Sequence, residues 1–147
     1  MEHQSSALRR FNSIMKETEQ VYHEAALALG VSDSAMGILY ALRIGDGSLP
    51  LRDVRLVCGL TKQTVNSSLR KLEEEGILYL EPMDGREKIV RLTPQGRVLS
   101  EQTAGRIMDV ENAVFGSWTQ EQVTAYLESM ERFLTQLREK CREEFDL

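Results

Sequence analysis

The chain has 147 residues, two cysteines and a net charge of −5. That length suffices for one compact domain with its own core, and Cys58 and Cys141 are too few for a disulfide scaffold. The N-terminus has no apolar run of secretory-signal length, and no stretch approaches a membrane span. The expectation is therefore a cytoplasmic protein with no membrane contact. The negative charge argues at first against nucleic acid, but it is unevenly spread. Residues 52–97 carry nine Lys/Arg and seven Asp/Glu, whereas the rest carries nine and sixteen. The middle is mildly basic and the flanks are acidic.

In chain order, residues 8–29 read as an amphipathic helix with Leu8, Phe11, Met15, Tyr22, Ala25 and Leu29 on one face, stopped at Gly30. Ser32 caps a second helix over about 33–44. Gly45-Asp46-Gly47-Ser48 breaks the chain, and Pro50 suits the first turn of a short third helix ending near Gly59. Thr61 caps the next. After two short strands, Thr93-Pro94 opens a helix expected to run to about Phe115. Gly116 and Ser117 end it, and Thr119 with Gln122 forms a capping box for the last helix. That helix carries Val123, Tyr126, Leu127, Met130, Phe133, Leu134, Leu137 and Cys141 on one stripe. The terminal stripes can pack on the central domain within one subunit or bury against a second copy. Two long stripes exceed what one small domain covers, which favours a homodimer.

The segment over residues 61–93 carries most of the functional signal. With Val65 taken as inward, Leu69 and Leu72 share its side of the helix. Gln63, Ser67 and Arg70 then face the opposite way, with Asn66 at the edge and Lys62 and Thr64 on the N-terminal turn. These residue types pair with base edges and phosphates, although Glu73-Glu74-Glu75 at the far end would repel a duplex. In the hairpin that follows, Leu78 and Leu80 alternate with Tyr79 and Glu81, and Ile89, Val90 and Leu92 return. Pro82 and Asp84-Gly85 form the loop, Arg86 projects near its tip, and Lys88 and Arg91 lie on the return strand. An arginine there can enter a narrow minor groove, with the Asp84 carboxylate fixing its rotamer. Such a helix followed by such a hairpin is the layout of a winged helix-turn-helix.

Thr61-Lys62-Gln63-Thr64-Val65-Asn66-Ser67, Leu69, Leu72-Glu73, Gly76, Asp84-Gly85-Arg86-Glu87-Lys88, Val90, Leu92-Thr93 and Gly96 together resemble the MarR family of bacterial transcriptional regulators. The family's wing carries an Asp-x-Arg pattern, often a following Lys, and then Leu-Thr-x-x-Gly. The resemblance implies a mainly α fold with a small β-hairpin wing. A helical dimerisation region (1–31 and 98–147) would surround a winged helix-turn-helix DNA-binding region (32–97), all in one compact domain. It further implies a homodimer on palindromic double-stranded DNA, usually repressing, and often released by a small aromatic or lipophilic effector. The DNA-contacting set would be Thr61, Lys62, Gln63, Thr64, Asn66, Ser67, Arg70, Asp84, Arg86 and Lys88. The effector cleft, lined by the first, second and fifth helices, would draw on Phe11, Met15, Met36, Tyr40 and Met108. The third helix departs from the family pattern: Arg55 stands where a small residue is usual, and Leu56 and Val57 where polar residues are. Its packing face is expected to be rotated, or Leu56 to meet another surface.

Other chemistry is poorly supported. Cys58 reads as a structural thiol rather than a redox switch, and a Cys141 disulfide is unexpected in a cytoplasmic setting. His23-Glu24 has no further ligand at metal spacing, and no phosphate loop or nucleophile elbow occurs. No enzyme activity, metal or cofactor is expected. Two other readings stay open: a winged-helix protein-interaction module, and a DNA-binding regulator without ligand control.

Overall fold

Local capping sets the helix starts. The computed structural model describes residues 5–85 and 87–147. The Ser5 hydroxyl accepts from the Leu8 amide and opens α1 (Ser6–Ala28), and Ser32 does the same through Ala35 for α2 (Asp33–Ile44). Each cap satisfies an amide that the helix leaves orphaned, worth roughly 1 kcal/mol. The His23 Nδ1 lies 2.8 Å from the Asp33 carboxylate. That ties the end of α1 to the start of α2 and gives this histidine a structural partner.

The chain forms two compact units, one up to Met108 and one from Asp109 onward. In the first, α2 packs against α3 (Leu51–Cys58) and α4 (Lys62–Glu74). A sheet of β1 (Ser48–Pro50), β2 (Leu78–Pro82) and β3 (Lys88–Leu92) lies beside them. β3 is central and antiparallel to both neighbours, with Leu80 opposite Val90 on one side and Leu49 opposite Val90 on the other. The core gathers Ile38, Leu39 and Leu42 of α2, Val54 of α3, Val65, Leu69 and Leu72 of α4, and Leu78, Val90 and Leu92 of the sheet. Each such side chain contributes about 1.5–3 kcal/mol on burial.

β1 was not expected, and it corrects the reading of Pro50. That residue ends an edge strand and precedes α3, with φ −54° and ψ 142°. Proline is tolerated there because an edge strand need not use every amide. A second correction concerns the long helix after the wing. It is two helices, α5 (Pro94–Gln102) and α6 (Ala104–Gly116), parted at the buried Thr103. The Thr103 hydroxyl donates to the Leu99 carbonyl at 2.7 Å. The Thr103 amide donates to the Ser100 carbonyl rather than to that of Leu99.

In the second unit, the capping box is present in both directions. Gln122 N donates to the Thr119 hydroxyl, and Thr119 N to the Gln122 side chain. It starts α7 (Gln120–Phe145). Phe115, Trp118 and Tyr126 cluster at the turn, with Trp118 edge-on to both other rings at 5.4 and 5.3 Å. Along α7 itself, Met130, Phe133, Leu134 and Leu137 are all exposed. On α1, in the first unit, Leu8, Phe11, Ile14 and Met15 are exposed too. Among the described residues no single helix is long and apolar enough to cross a membrane.

Candidate nucleic-acid interface

The turn between α3 and α4 passes through Gly59, whose left-handed backbone (φ +62°) closes α3 where a side chain would be strained. Thr61 then caps α4: its hydroxyl accepts from the Thr64 amide at 3.2 Å and lies 2.8 Å from the Thr64 hydroxyl. Thr61 and Thr64 are thus partly engaged in starting the helix. Val65 is fully buried, with Leu69 and Leu72 nearly so, as the periodicity required. Lys62, Gln63, Thr64, Asn66, Ser67 and Arg70 are all exposed. One face of α4 is therefore anchored and the other presents amides, hydroxyls and a guanidinium, the groups that pair with base edges and phosphates. Ser68, which periodicity alone does not single out, bonds to Ser34 of α2 at 2.7 Å and fixes α4 against that helix. Glu73, Glu74 and Glu75 are exposed at the far end.

The hairpin follows immediately, and a small cluster of bonds locks it to α4. The Thr93 hydroxyl lies 2.6 Å from the Gly76 carbonyl, 3.1 Å from the Ile77 carbonyl and 3.0 Å from the Gly96 amide. The exit of the wing is thus bound to the exit of the recognition helix, and Thr93 caps α5 at the same time. Gly96 is required by this closeness, since a Cβ there would fall 1.8 Å from the Ile77 carbonyl oxygen. The Leu-Thr-x-x-Gly stretch has a mechanical meaning here.

Met83 N donates to the Glu87 carbonyl at 2.9 Å and closes the tip, with Asp84 and Gly85 exposed within it. Arg86 lies outside the described residues, so its pairing with Asp84 is not described either. Lys88 is exposed. Arg91 is spoken for: its guanidinium pairs with Glu81 across the hairpin. Arg52 of α3 reaches Glu87 at 3.4 Å. Such an exposed pair contributes little stability, yet it links the tip end of the wing to α3.

The third helix keeps its inward face. Val54 is completely buried, Leu51 and Cys58 pack against the core, and Leu56 is 75% exposed. Leu56 faces outward. Arg55, half-buried, donates from Nη2 to Asn66 Oδ1 at 3.1 Å. Burial pushes the Cys58 thiol up from its ordinary value of 9.0 to about 11. A thiol that stays protonated at neutral pH is a poor nucleophile, which fits a structural role.

The five residues proposed for an effector cleft are not gathered in one described cleft. Met36 and Tyr40 of α2 pack on the core, and Phe11 and Met15 lie on the exposed side of α1. Met108 of α6 borders a cleft of about 500 Å³ with Arg43, Leu92 and Arg97.

A helix-turn-helix anchored by its apolar face and continued by a three-stranded wing defines a winged helix-turn-helix protein. A model of the MarR family matches residues 29–87 of the chain. Its fold is similar to NMB1585, a MarR family regulator from Neisseria meningitidis (16% identity, 95% of this chain and 99% of that chain, TM-score 0.82). It is similar as well to a MarR family regulator from Silicibacter pomeroyi (24% identity, 89% of each chain, TM-score 0.70). A third is MepR from S. aureus, solved in complex with DNA (21% identity, 91% of this chain and 99% of that chain, TM-score 0.69). A search of curated proteins finds no match.

Proposed function

We propose that the protein is a homodimeric repressor that binds a palindromic operator sequence-specifically and is released by a small lipophilic or aromatic effector. It acts in the cytoplasm. Gln63, Asn66, Ser67 and Arg70 enter the major groove, Thr61, Lys62, Thr64 and Lys88 meet phosphates, and Arg86, oriented by Asp84, enters the minor groove. The observation that carries this reading is the outward face of α4, whose exposed polar side chains sit on a helix anchored by Val65, Leu69 and Leu72. The MepR–DNA complex supports it by fold. Dimerisation through residues 1–31 and 98–147 is supported by the exposed apolar side chains of α1 and, separately, of α7. The effector reading rests on the family resemblance.

Operator binding should weaken steeply with added salt, because each neutralised phosphate releases counterions. Arg86→Ala should cost about 1–3 kcal/mol of operator affinity, measured by fluorescence anisotropy at two or more salt concentrations. If the variant bound as tightly as wild type at physiological salt, the wing assignment would be wrong.

A further inference from the structure

We infer that Arg55, on the helix before the recognition helix, is a specificity-determining positioning residue that makes Asn66 a hydrogen-bond donor toward DNA. The inference rests on the reading that Asn66 faces base edges. Arg55 Nη2 and Asn66 Oδ1 are 3.1 Å apart, across the α3–α4 turn. A guanidinium has only donors, so the amide atom facing it must be the oxygen. The orientation of this amide, ordinarily ambiguous, is thereby settled by chemistry. With Oδ1 turned toward α3, what the exposed end of Asn66 offers is its NH2. That group matches acceptors: purine N7, guanine O6, thymine O4 or a phosphate oxygen. The familiar adenine contact needs oxygen and NH2 presented together to one base edge, and here the oxygen is engaged with Arg55.

A purely structural role does not account for this arrangement. Val54 already anchors α3 in the core. The Arg55 Nε is buried and finds no partner among the described residues, which costs the fold rather than helping it. The guanidinium sits in an open cleft lined by Leu51, Leu69 and Leu80 together with charged side chains that include Glu73 and Glu87.

The test is selection from random duplex DNA with the full-length wild type, Asn66→Ala, Arg55→Met and the double variant. Methionine keeps much of the arginine stem's packing and removes every donor. Asn66→Ala should flatten the preference at one base pair in each half-site. Arg55→Met should shift the preference at that same base pair toward adenine by about fivefold or more, leaving the other positions as they were. The double variant should match Asn66→Ala alone, since Arg55 acts through Asn66. Arg55→Leu, which also removes every donor, replaces Arg55→Met should the latter fail to fold. The inference is overturned if the Arg55 variant keeps the wild-type preference at that base pair, if it weakens all positions alike, or if Asn66→Ala alters none. A wild type that enriches no sequence would instead overturn the DNA-reading role of α4, and this inference with it.

Discussion

Replacing Gly96 with alanine is expected to destabilise the protein by about 3 kcal/mol or more. The added methyl would lie 1.8 Å from the Ile77 carbonyl oxygen and 2.9 Å from its carbon. Both are backbone atoms, so no side chain can move aside. The Ile77 carbonyl is also held in place, because it accepts from both the amide and the hydroxyl of Thr93. Relief would require α5 to lift from the segment joining the recognition helix to the wing. Urea unfolding should show a markedly lower midpoint for Gly96→Ala. Gly116→Ala is the control: an added methyl there would meet nothing within 4 Å, and the change should be neutral or slightly stabilising at a helix end. Equal midpoints for Gly96→Ala and wild type would contradict the close approach.

The second large effect concerns assembly. Leu134→Glu should convert the proposed dimer to a monomer and weaken operator binding by roughly 100-fold or more, since a lone subunit engages one half-site without the effective concentration of the second. Leu134 is 46% exposed in the single chain, so a glutamate there need not disturb α7 itself, and helical content should be retained. Sedimentation velocity and operator titration read the two consequences. A variant that stayed dimeric and bound normally would remove the α7 stripe from the dimer interface.

Features controlled by neighbouring residues were legible in the sequence. Ser32, Thr61, Thr93 and Thr119 cap helices as their positions suggested, because a cap depends on two or three adjacent residues. The inward set Val65, Leu69 and Leu72 followed from helical periodicity alone. What escaped depends mostly on distant partners. Ser48–Pro50 is too short to show alternation and becomes a strand only by pairing with β3. The break at the buried Thr103, where the backbone amide turns to Ser100, is not shown by composition. It also places Met108 on a helix separate from the one that Thr93 opens. Arg55 is conspicuous in the sequence as a departure from the family pattern, but its bond to Asn66 joins side chains on two helices and needed the fold to be seen. The same holds for Arg91, which reads as a basic wing residue and is neutralised by Glu81.

If α4 and the wing of two subunits read a two-fold symmetric operator, random duplex DNA selected by the wild-type protein should carry that symmetry. The expected product is a palindrome whose half-sites lie about one helical turn apart, with binding that falls steeply as salt is raised. Absence of any enriched sequence, even at low salt, would contradict operator reading and leave the winged helix as a protein-interaction module.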